Sequence, residues 1–168
     1  MAEVKLSGEI ISTSGTLPRK GSPAPGAEFT GKDLQTVSLK DFQGKWTVLN
    51  VFPSLDTPVC AMSVRRFNTE AASLQNAAVL CISADLPFAH KRFCETEGIE
   101  NVESLSVFRN PEFGQRYGLT ISTGPLAGLL ARAVIVLDPS GNAAYEQLVP
   151  EITEEPDYED VLRFMKSR

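Results

Sequence analysis

Short apolar runs alternate with segments of helical periodicity along most of the chain, a pattern that predicts a β-sheet covered by helices. Two of the runs, Val48–Phe52 and Ala78–Ile82, show no polar alternation, as is typical of central strands that are buried on both faces. The predicted strands are Thr36–Leu39, Trp46–Val51, Ala78–Ala84, Leu105–Phe108, Ala131–Leu137 and Ala143–Leu148. The predicted helices are Val59–Leu74, Pro87–Glu97, Pro111–Tyr117 and Asp157–Met165. The fold class is therefore α/β, with a central sheet flanked by helices.

The two ends of the chain add hairpins to this pattern. Apolar and polar residues alternate on both sides of Gly8, which predicts an amino-terminal β-hairpin. The proline- and glycine-rich stretch Leu17–Gly26 then predicts a surface loop. Pro139–Asn142 has the composition of a tight turn, so we expect the last two strands to form a second hairpin.

Length and charge narrow the classes of protein to consider. A chain of 168 residues is of ordinary size for one domain, and we expect a single domain over residues 1–168. The net charge of −5 argues against binding to nucleic acid or to an anionic membrane, because both require clustered positive charge. The amino terminus carries no apolar segment of signal-peptide length, so a cytoplasmic protein is expected. Three cysteines without an export signal argue against a disulfide framework and favour redox or metal chemistry.

Cys60 follows a signal for a helix start. Thr57 is a suitable N-cap, Pro58 suits the first helical position, and Cys60 then occupies the third position. Unsatisfied backbone N–H groups and the positive end of the helix dipole favour an anion at this place. The thiolate is the nucleophilic form of cysteine, so the position nominates Cys60 as a reactive residue. The alternative is a buried, inert cysteine.

Arg132 interrupts the otherwise apolar run Leu129–Leu137. A guanidinium in such a strand needs an anion or another acceptor as its partner. One interpretation makes it the first residue of a strand, with its charged end in solvent or paired with a carboxylate such as Asp85 or Asp56. The other pairs it with the Cys60 thiolate, where it would stabilise the sulfur and the charge that develops on a leaving group.

Thr57 and Pro53 are the other candidates near Cys60. The Thr57 hydroxyl can cap the helix and hydrogen-bond the sulfur or a substrate oxygen, although capping alone would explain the residue. Pro53 ends the strand and could shield the sulfur from water, or it could serve only as loop punctuation.

The remaining candidates lie in the next strand and helix. Cys94 has polar neighbours, so we expect it to be partly exposed, and a disulfide to Cys60 needs α-carbons within about 7 Å. Two helices separated by a strand do not reach that distance without local unfolding. Cys81 is expected to be a core residue. His90 precedes Cys94 by one helical turn and could tune that thiol, but it is more simply an ordinary surface histidine. Zinc bound by these four residues would lack the paired spacings of metal motifs, so we expect no metal.

Four blocks of the chain resemble the peroxiredoxin family, and in particular its bacterial thiol peroxidase subfamily. Phe52–Cys60 contains the family pattern Pro-x-x-x-Thr-x-x-Cys, and Ala61–Asn68 continues the likeness. The other blocks are Leu80–Ala89 with Arg92–Cys94, Gly124–Val134 and Glu151–Tyr158. They occur in the order of the family and cover nearly the whole chain.

This resemblance implies a thioredoxin-like fold with an amino-terminal β-hairpin, and a cysteine that attacks the O–O bond of a hydroperoxide. The peroxidatic role corresponds to Cys60, and the conserved proline, threonine and arginine of the family correspond to Pro53, Thr57 and Arg132. The resolving cysteine corresponds to Cys94, which implies an intramolecular disulfide after Cys60 becomes a sulfenic acid.

The resemblance also implies the partners of the protein. It suggests hydrogen peroxide and organic hydroperoxides as substrates, thioredoxin as the reductant, and a homodimer. No cofactor is expected, and neither nucleic acid nor a membrane is expected as a partner.

Two other functions stay open from the sequence. The run Cys60-Ala61-Met62-Ser63 is similar to a one-cysteine version of the Cys-x-x-Cys motif, which would suit a thiol-disulfide oxidoreductase. The chain could also be a non-catalytic thioredoxin-like scaffold that binds a partner through its surface, although it contains no distinct binding motif.

Overall fold

The computed structural model describes all 168 residues and contains nine strands and four helices. The strands are β1 (Glu3–Leu6), β2 (Glu9–Ser12), β3 (Glu28–Gly31), β4 (Thr36–Ser38), β5 (Trp46–Val51), β6 (Ala77–Ser83), β7 (Glu103–Ser106), β8 (Ala133–Leu137) and β9 (Ala143–Leu148). The helices are α1 (Pro58–Ala71), α2 (Pro87–Glu97), α3 (Glu112–Arg116) and α4 (Tyr158–Lys166), and a 3₁₀ turn covers Leu39–Phe42.

Seven strands form one mixed sheet in the order β4-β3-β7-β6-β5-β8-β9. The three strands β7, β6 and β5 are parallel to their neighbours within this group, and all other pairs are antiparallel. Both parallel connections contain a helix, α1 between β5 and β6 and α2 between β6 and β7, because a parallel crossover needs a long connection. The cysteine-bearing helices thus both start at the carboxyl edge of the central strands, where open α/β sheets usually hold their chemistry.

The sheet is covered on both faces, as the lack of alternation in β5 and β6 predicts. Successive residues of β5 belong to different apolar clusters. Val48 is in the cluster that contains Phe67 of α1 and Val161 of α4, whereas Leu49 is in the cluster that contains Phe113 of α3. The α3 side also receives residues from the hairpin β1–β2. Burial of this apolar surface on both faces is the main stabilisation of such a sheet.

The hairpin β1–β2 is a separate two-stranded sheet whose tip turns at Gly8. Gly8 has a φ of +88°, a conformation that glycine adopts without a steric penalty. Lys5 pairs with Glu151, which joins the hairpin to the segment that follows β9. The hairpin therefore lies against a part of the chain that is distant in sequence.

Most predicted elements are confirmed within a few residues at their ends, and the bounds of β5 and β9 match the prediction. Both predicted hairpins are present. The short strand β3 was not predicted, because Glu28–Gly31 offers only one strongly apolar side chain. None of the four helices is both long and apolar enough to cross a bilayer.

Candidate active site

Cys60 lies where the sequence predicts it, at the third position of α1. Strand β5 ends at Val51, and Thr57 is the N-cap of a helix that begins with Pro58. The Cys60 side chain is fully buried, in an apolar cluster with Phe52 and Val64. A thiol in this position combines the free N–H groups of a helix start with exclusion of bulk water.

Arg132 contacts the sulfur of Cys60. It precedes β8 directly and is only 2% exposed, and its Nη2 donates to Cys60 Sγ at 3.3 Å. Its Nε and Nη2 also donate to the carbonyl oxygen of Ile152, at 3.0 and 2.8 Å. The structure thus supports the pairing with Cys60. The alternative of a carboxylate partner is wrong.

Each of the two candidate carboxylates binds other groups. Asp85 accepts hydrogen bonds from Ser54, Leu55 and Ser83, and Asp56 forms an exposed ion pair with Arg92 at 3.6 Å. The guanidinium of Arg132 is instead oriented by a backbone carbonyl, which leaves its charge available to the sulfur.

An apolar cavity of about 230 Å³ opens at this place. Arg132 is its only charged residue, and the other lining residues are Leu6, Pro53, Thr57, Pro58, Val59, Leu126, Leu129, Ile152 and Thr153. The buried Nη1 of Arg132 has no hydrogen-bond partner. A buried donor without a partner is costly, so a ligand that offers an oxygen to Nη1 would remove that cost.

The structure corrects one detail of Thr57. Its side chain makes no capping hydrogen bond to the helix, and its Oγ1 donates instead to the carbonyl oxygen of Ser54 at 2.9 Å. The preceding turn already holds the hydroxyl, so the expectation that it caps α1 is wrong. Thr57 does line the cavity, as does the buried Pro53.

Cys94 lies in α2 and is buried, with 4% of its surface exposed. The expectation of partial exposure is therefore wrong, because the cysteine occupies the inner face of a helix whose polar residues point outward. Its Sγ lies 3.2 Å from the hydroxyl oxygen of Ser104 in β7. Cys94 and Cys60 belong to the same apolar cluster, but all three cysteines are free thiols.

Cys81 and His90 are both buried. Burial raises the pKa of Cys81 to about 12, so its thiol stays neutral, as expected of a core residue. The prediction that His90 is a surface residue is wrong, because its side chain is fully buried and its Nε2 lies 3.0 Å from Ser83 Oγ. Burial lowers the pKa of His90 to about 4. No group of three or more His, Cys, Asp or Glu side chains is arranged to hold a metal ion.

Sequence reasoning missed two contributors to this site. The carbonyl of Ile152 orients Arg132, and no side-chain pattern can reveal a backbone acceptor. Asp85 fixes the turn before Cys60, and its position just after a buried strand was the available signal.

The fold and site define a thiol-based redox enzyme with a thioredoxin-like architecture. The Redoxin family matches residues 19–162. A thiol peroxidase from Mycobacterium tuberculosis is 56% identical over 162 residues, which cover 96% of this chain and 97% of the relative. The thiol peroxidase of Mycobacterium bovis gives the same values. The chain belongs to the redoxin family and, within it, to the thiol peroxidases.

Solved structures agree with the fold. A peroxiredoxin-like protein from Aquifex aeolicus superposes with a TM-score of 0.94 at 42% identity, covering 99% of this chain and 97% of that chain. A thiol peroxidase from Chromobacterium violaceum gives a TM-score of 0.87 at 22% identity, covering 98% and 95%. The second likeness concerns the fold alone.

Proposed function

We propose that this thiol-dependent peroxidase reduces hydrogen peroxide and organic hydroperoxides with Cys60 as the attacking thiolate and Cys94 as the resolving thiol. The observation that carries the proposal is the 3.3 Å contact of Arg132 Nη2 with the Cys60 sulfur, at a helix start and in a site shielded from water. A guanidinium at this distance can stabilise the negative charge that develops on the reacting atoms.

In the first step the Cys60 sulfur attacks the terminal oxygen of the hydroperoxide. A sulfur–oxygen bond forms and the O–O bond breaks, so that the sulfur loses two electrons and the peroxide gains them. The leaving alkoxide or hydroxide takes up a proton, and Cys60 becomes a sulfenic acid. Arg132 Nη1, which has no protein partner, is available to hydrogen-bond a peroxide oxygen as negative charge develops on it.

In the second step the Cys94 thiolate attacks the sulfur of the sulfenic acid. The new S–S bond displaces the oxygen, which leaves as water after protonation. Cys60 lies on α1 and Cys94 on α2, and both residues share an apolar cluster with Cys81 of β6. We infer that the start of α1 and the part of α2 around Cys94 open locally before this step, because the two thiols lie on separate helices and a disulfide needs α-carbons within about 7 Å.

The lining of the cavity supports organic hydroperoxides as substrates. Leu6, Leu126 and Leu129 present an apolar wall beside the charged end of Arg132. An alkyl or aryl hydroperoxide can place its apolar part on this wall and its O–O bond toward Cys60. Burial of apolar substrate area then adds affinity that hydrogen peroxide does not gain.

A dithiol protein of the thioredoxin type is the proposed reductant of the disulfide. The exchange consumes two thiols of the partner and returns Cys60 and Cys94 to the reduced state. A cytoplasmic location, a single domain over residues 1–168 and a homodimer complete the proposal. The first rests on the composition of the amino terminus, the second on the length of the chain, and the third on the resemblance to peroxiredoxins.

A single-turnover reaction tests the proposal. The Cys94→Ser chain is mixed with one equivalent of cumene hydroperoxide, and sulfenic acid is trapped with dimedone and located by mass spectrometry. We expect one adduct per chain, on Cys60, and no turnover with thioredoxin. Absence of the adduct would reject the peroxidatic role, and rapid thioredoxin-dependent turnover of this variant would reject the resolving role of Cys94.

A further inference from the structure

Asp85 carries three hydrogen bonds from the region around the active site. It follows strand β6 and is half-buried. Its Oδ1 accepts from the hydroxyl of Ser54 at 2.8 Å, and its Oδ2 accepts from the backbone N–H of Leu55 at 2.8 Å. The hydroxyl of Ser83 also donates to Oδ2, at 2.6 Å. Asp85 takes no part in the chemistry proposed above.

One side of this network leads to Cys60. Ser54 is held by Asp85, and its own carbonyl oxygen accepts from both the hydroxyl and the N–H of Thr57, at 2.9 and 3.2 Å. Thr57 is the N-cap of α1, and Cys60 lies three residues further on. The carboxylate therefore fixes the turn from which the peroxidatic helix starts.

The other side of the network leads to the helix that carries Cys94. Asp85 is two residues before Pro87, where α2 begins. Its backbone carbonyl accepts from Ser106 Oγ at 2.5 Å, and Ser83 Oγ also contacts His90 Nε2 within α2 at 3.0 Å. The same residue thus connects the starts of both cysteine-bearing helices.

We propose that Asp85 is a positioning residue that sets the relative rates of the two steps. It keeps the start of the Cys60 helix in the geometry that attacks peroxide, and it delays the opening that lets Cys94 reach Cys60. This inference rests on the roles proposed above for the two cysteines. Hydrogen bonds to an ionised carboxylate are stronger than those to a neutral acceptor, so neutralising Asp85 weakens both ends of the connection at once.

The variant Asp85→Asn separates the two effects. Asparagine has nearly the same shape, but its amide nitrogen is a donor and cannot accept from the groups that now face Oδ1 or Oδ2. We expect oxidation of Cys60 by cumene hydroperoxide to become about tenfold slower, the loss that one charge-assisted hydrogen bond represents. We expect disulfide formation to become several-fold faster, because less of the folded network has to open.

Each rate is measured on its own. Cys60 oxidation is followed in the Cys94→Ser background by quenching with an alkylating agent and counting unmodified thiols by mass spectrometry. Disulfide formation is followed in chains that keep Cys94, at hydroperoxide concentrations where oxidation is no longer limiting. At high hydroperoxide, Asp85→Asn should also yield a smaller fraction of Cys60 sulfinic acid, since faster resolution removes the sulfenic acid before a second peroxide reacts.

Asp138→Asn is the matched control. Asp138 also accepts backbone N–H groups in a turn, from Ser140 and Asn142. Its turn joins β8 to β9, and Asp138 is not part of the cluster that holds Cys60 and Cys94. We expect both rates to stay as in the parent chain. If Asp85→Asn fails to give the near-UV circular dichroism of a folded protein, Ser54→Ala provides the same test, because it removes one of the three bonds, with smaller changes in the same directions.

Opposite changes in the two rates of Asp85→Asn, absent from Asp138→Asn, support the positioning role. The inference is overturned if both rates stay unchanged, if both move in the same direction, or if the control shows the same split. Failure of the proposed function is recognised separately, in the parent chain, as a lack of sulfenic acid on Cys60 or of a Cys60–Cys94 disulfide.

Discussion

At the scale of single residues, the guanidinium of Arg132 divides its donors between two tasks. Two hydrogen bonds to the Ile152 carbonyl fix its plane, and one contact reaches the Cys60 sulfur. This division depends on the forked geometry of arginine, which an ammonium group does not share.

Arg132→Lys keeps the positive charge but loses that fork. We expect kcat/KM for hydroperoxide to fall about 100-fold, the usual cost of removing one donor to a developing oxyanion. The measurement is steady-state peroxidase activity over a range of hydroperoxide concentrations. Arg116→Lys is the control, because Arg116 also donates to a backbone carbonyl, that of Gly26. Equal activity of Arg132→Lys and the parent chain would contradict the role of Arg132.

His90 makes folding depend on pH in a specific window. Burial lowers its pKa to about 4 from the unfolded value of 6.5, so the unfolded chain binds the proton more tightly. The contribution of neutral His90 to the free energy of unfolding is therefore fully present above about pH 6.5, and it is lost progressively as the pH falls toward 4. His90→Gln keeps a donor toward Ser83 but cannot titrate.

We expect the loss of unfolding free energy between pH 7 and pH 4.5 to be smaller in His90→Gln than in the parent by roughly 2 kcal/mol. Urea denaturation at the two pH values measures it. The same loss in both chains would show that His90 is protonated as easily in the folded state as in the unfolded state.

At the scale of elements, the hairpin β1–β2 is joined to the active-site segment through Glu151. The carboxylate of Glu151 accepts the backbone N–H groups of Ser7 and Gly8 at the hairpin tip, and those of Thr153 on its own segment. These bonds, led by the Thr153 N–H, lower the pKa of Glu151 to about 2. The next residue, Ile152, supplies the carbonyl that orients Arg132, and Leu6 of the hairpin lines the cavity.

Glu151→Gln should loosen the hairpin and the carbonyl of Ile152 together. We expect kcat/KM to fall several-fold for cumene hydroperoxide and less for hydrogen peroxide, because only the larger substrate uses the wall formed by Leu6. Activity with both substrates measures this difference. Glu9→Gln removes one negative charge from the hairpin itself and should have no effect; an equal loss in the two variants would attribute the change to net charge.

The sequence predicted the elements better than it predicted their contacts. Apolar runs and helix-start chemistry identified β5, α1 and the position of Cys60, because those features depend on neighbouring residues. The burial of His90 and Cys94 was predicted wrongly, since the inner face of a short polar helix is decided by the sheet beneath it. The partner of Arg132 is a carbonyl 20 residues away, a long-range backbone contact that leaves no mark on the sequence.

At the scale of the whole molecule, the sheet brings Cys60 and Cys94, the two thiols of the proposed mechanism, into one apolar cluster on the face covered by α1 and α2. Both are buried as free thiols in the reduced chain. In the proposed mechanism, the geometry for attack on peroxide and the geometry for the disulfide are therefore two different states of the start of α1 and of α2. Such a local opening does not require global unfolding, because regions of a protein can open independently of its core.

The most direct test of the central claim is peroxide-dependent NADPH consumption with thioredoxin, thioredoxin reductase and cumene hydroperoxide, comparing the parent chain with Cys60→Ser and Cys81→Ser. The account predicts steady consumption in the parent, little change in Cys81→Ser, whose thiol is neutral in the core, and near-total loss in Cys60→Ser. Hydroperoxide-dependent turnover that persists in Cys60→Ser would contradict the assignment of Cys60 as the peroxidatic residue.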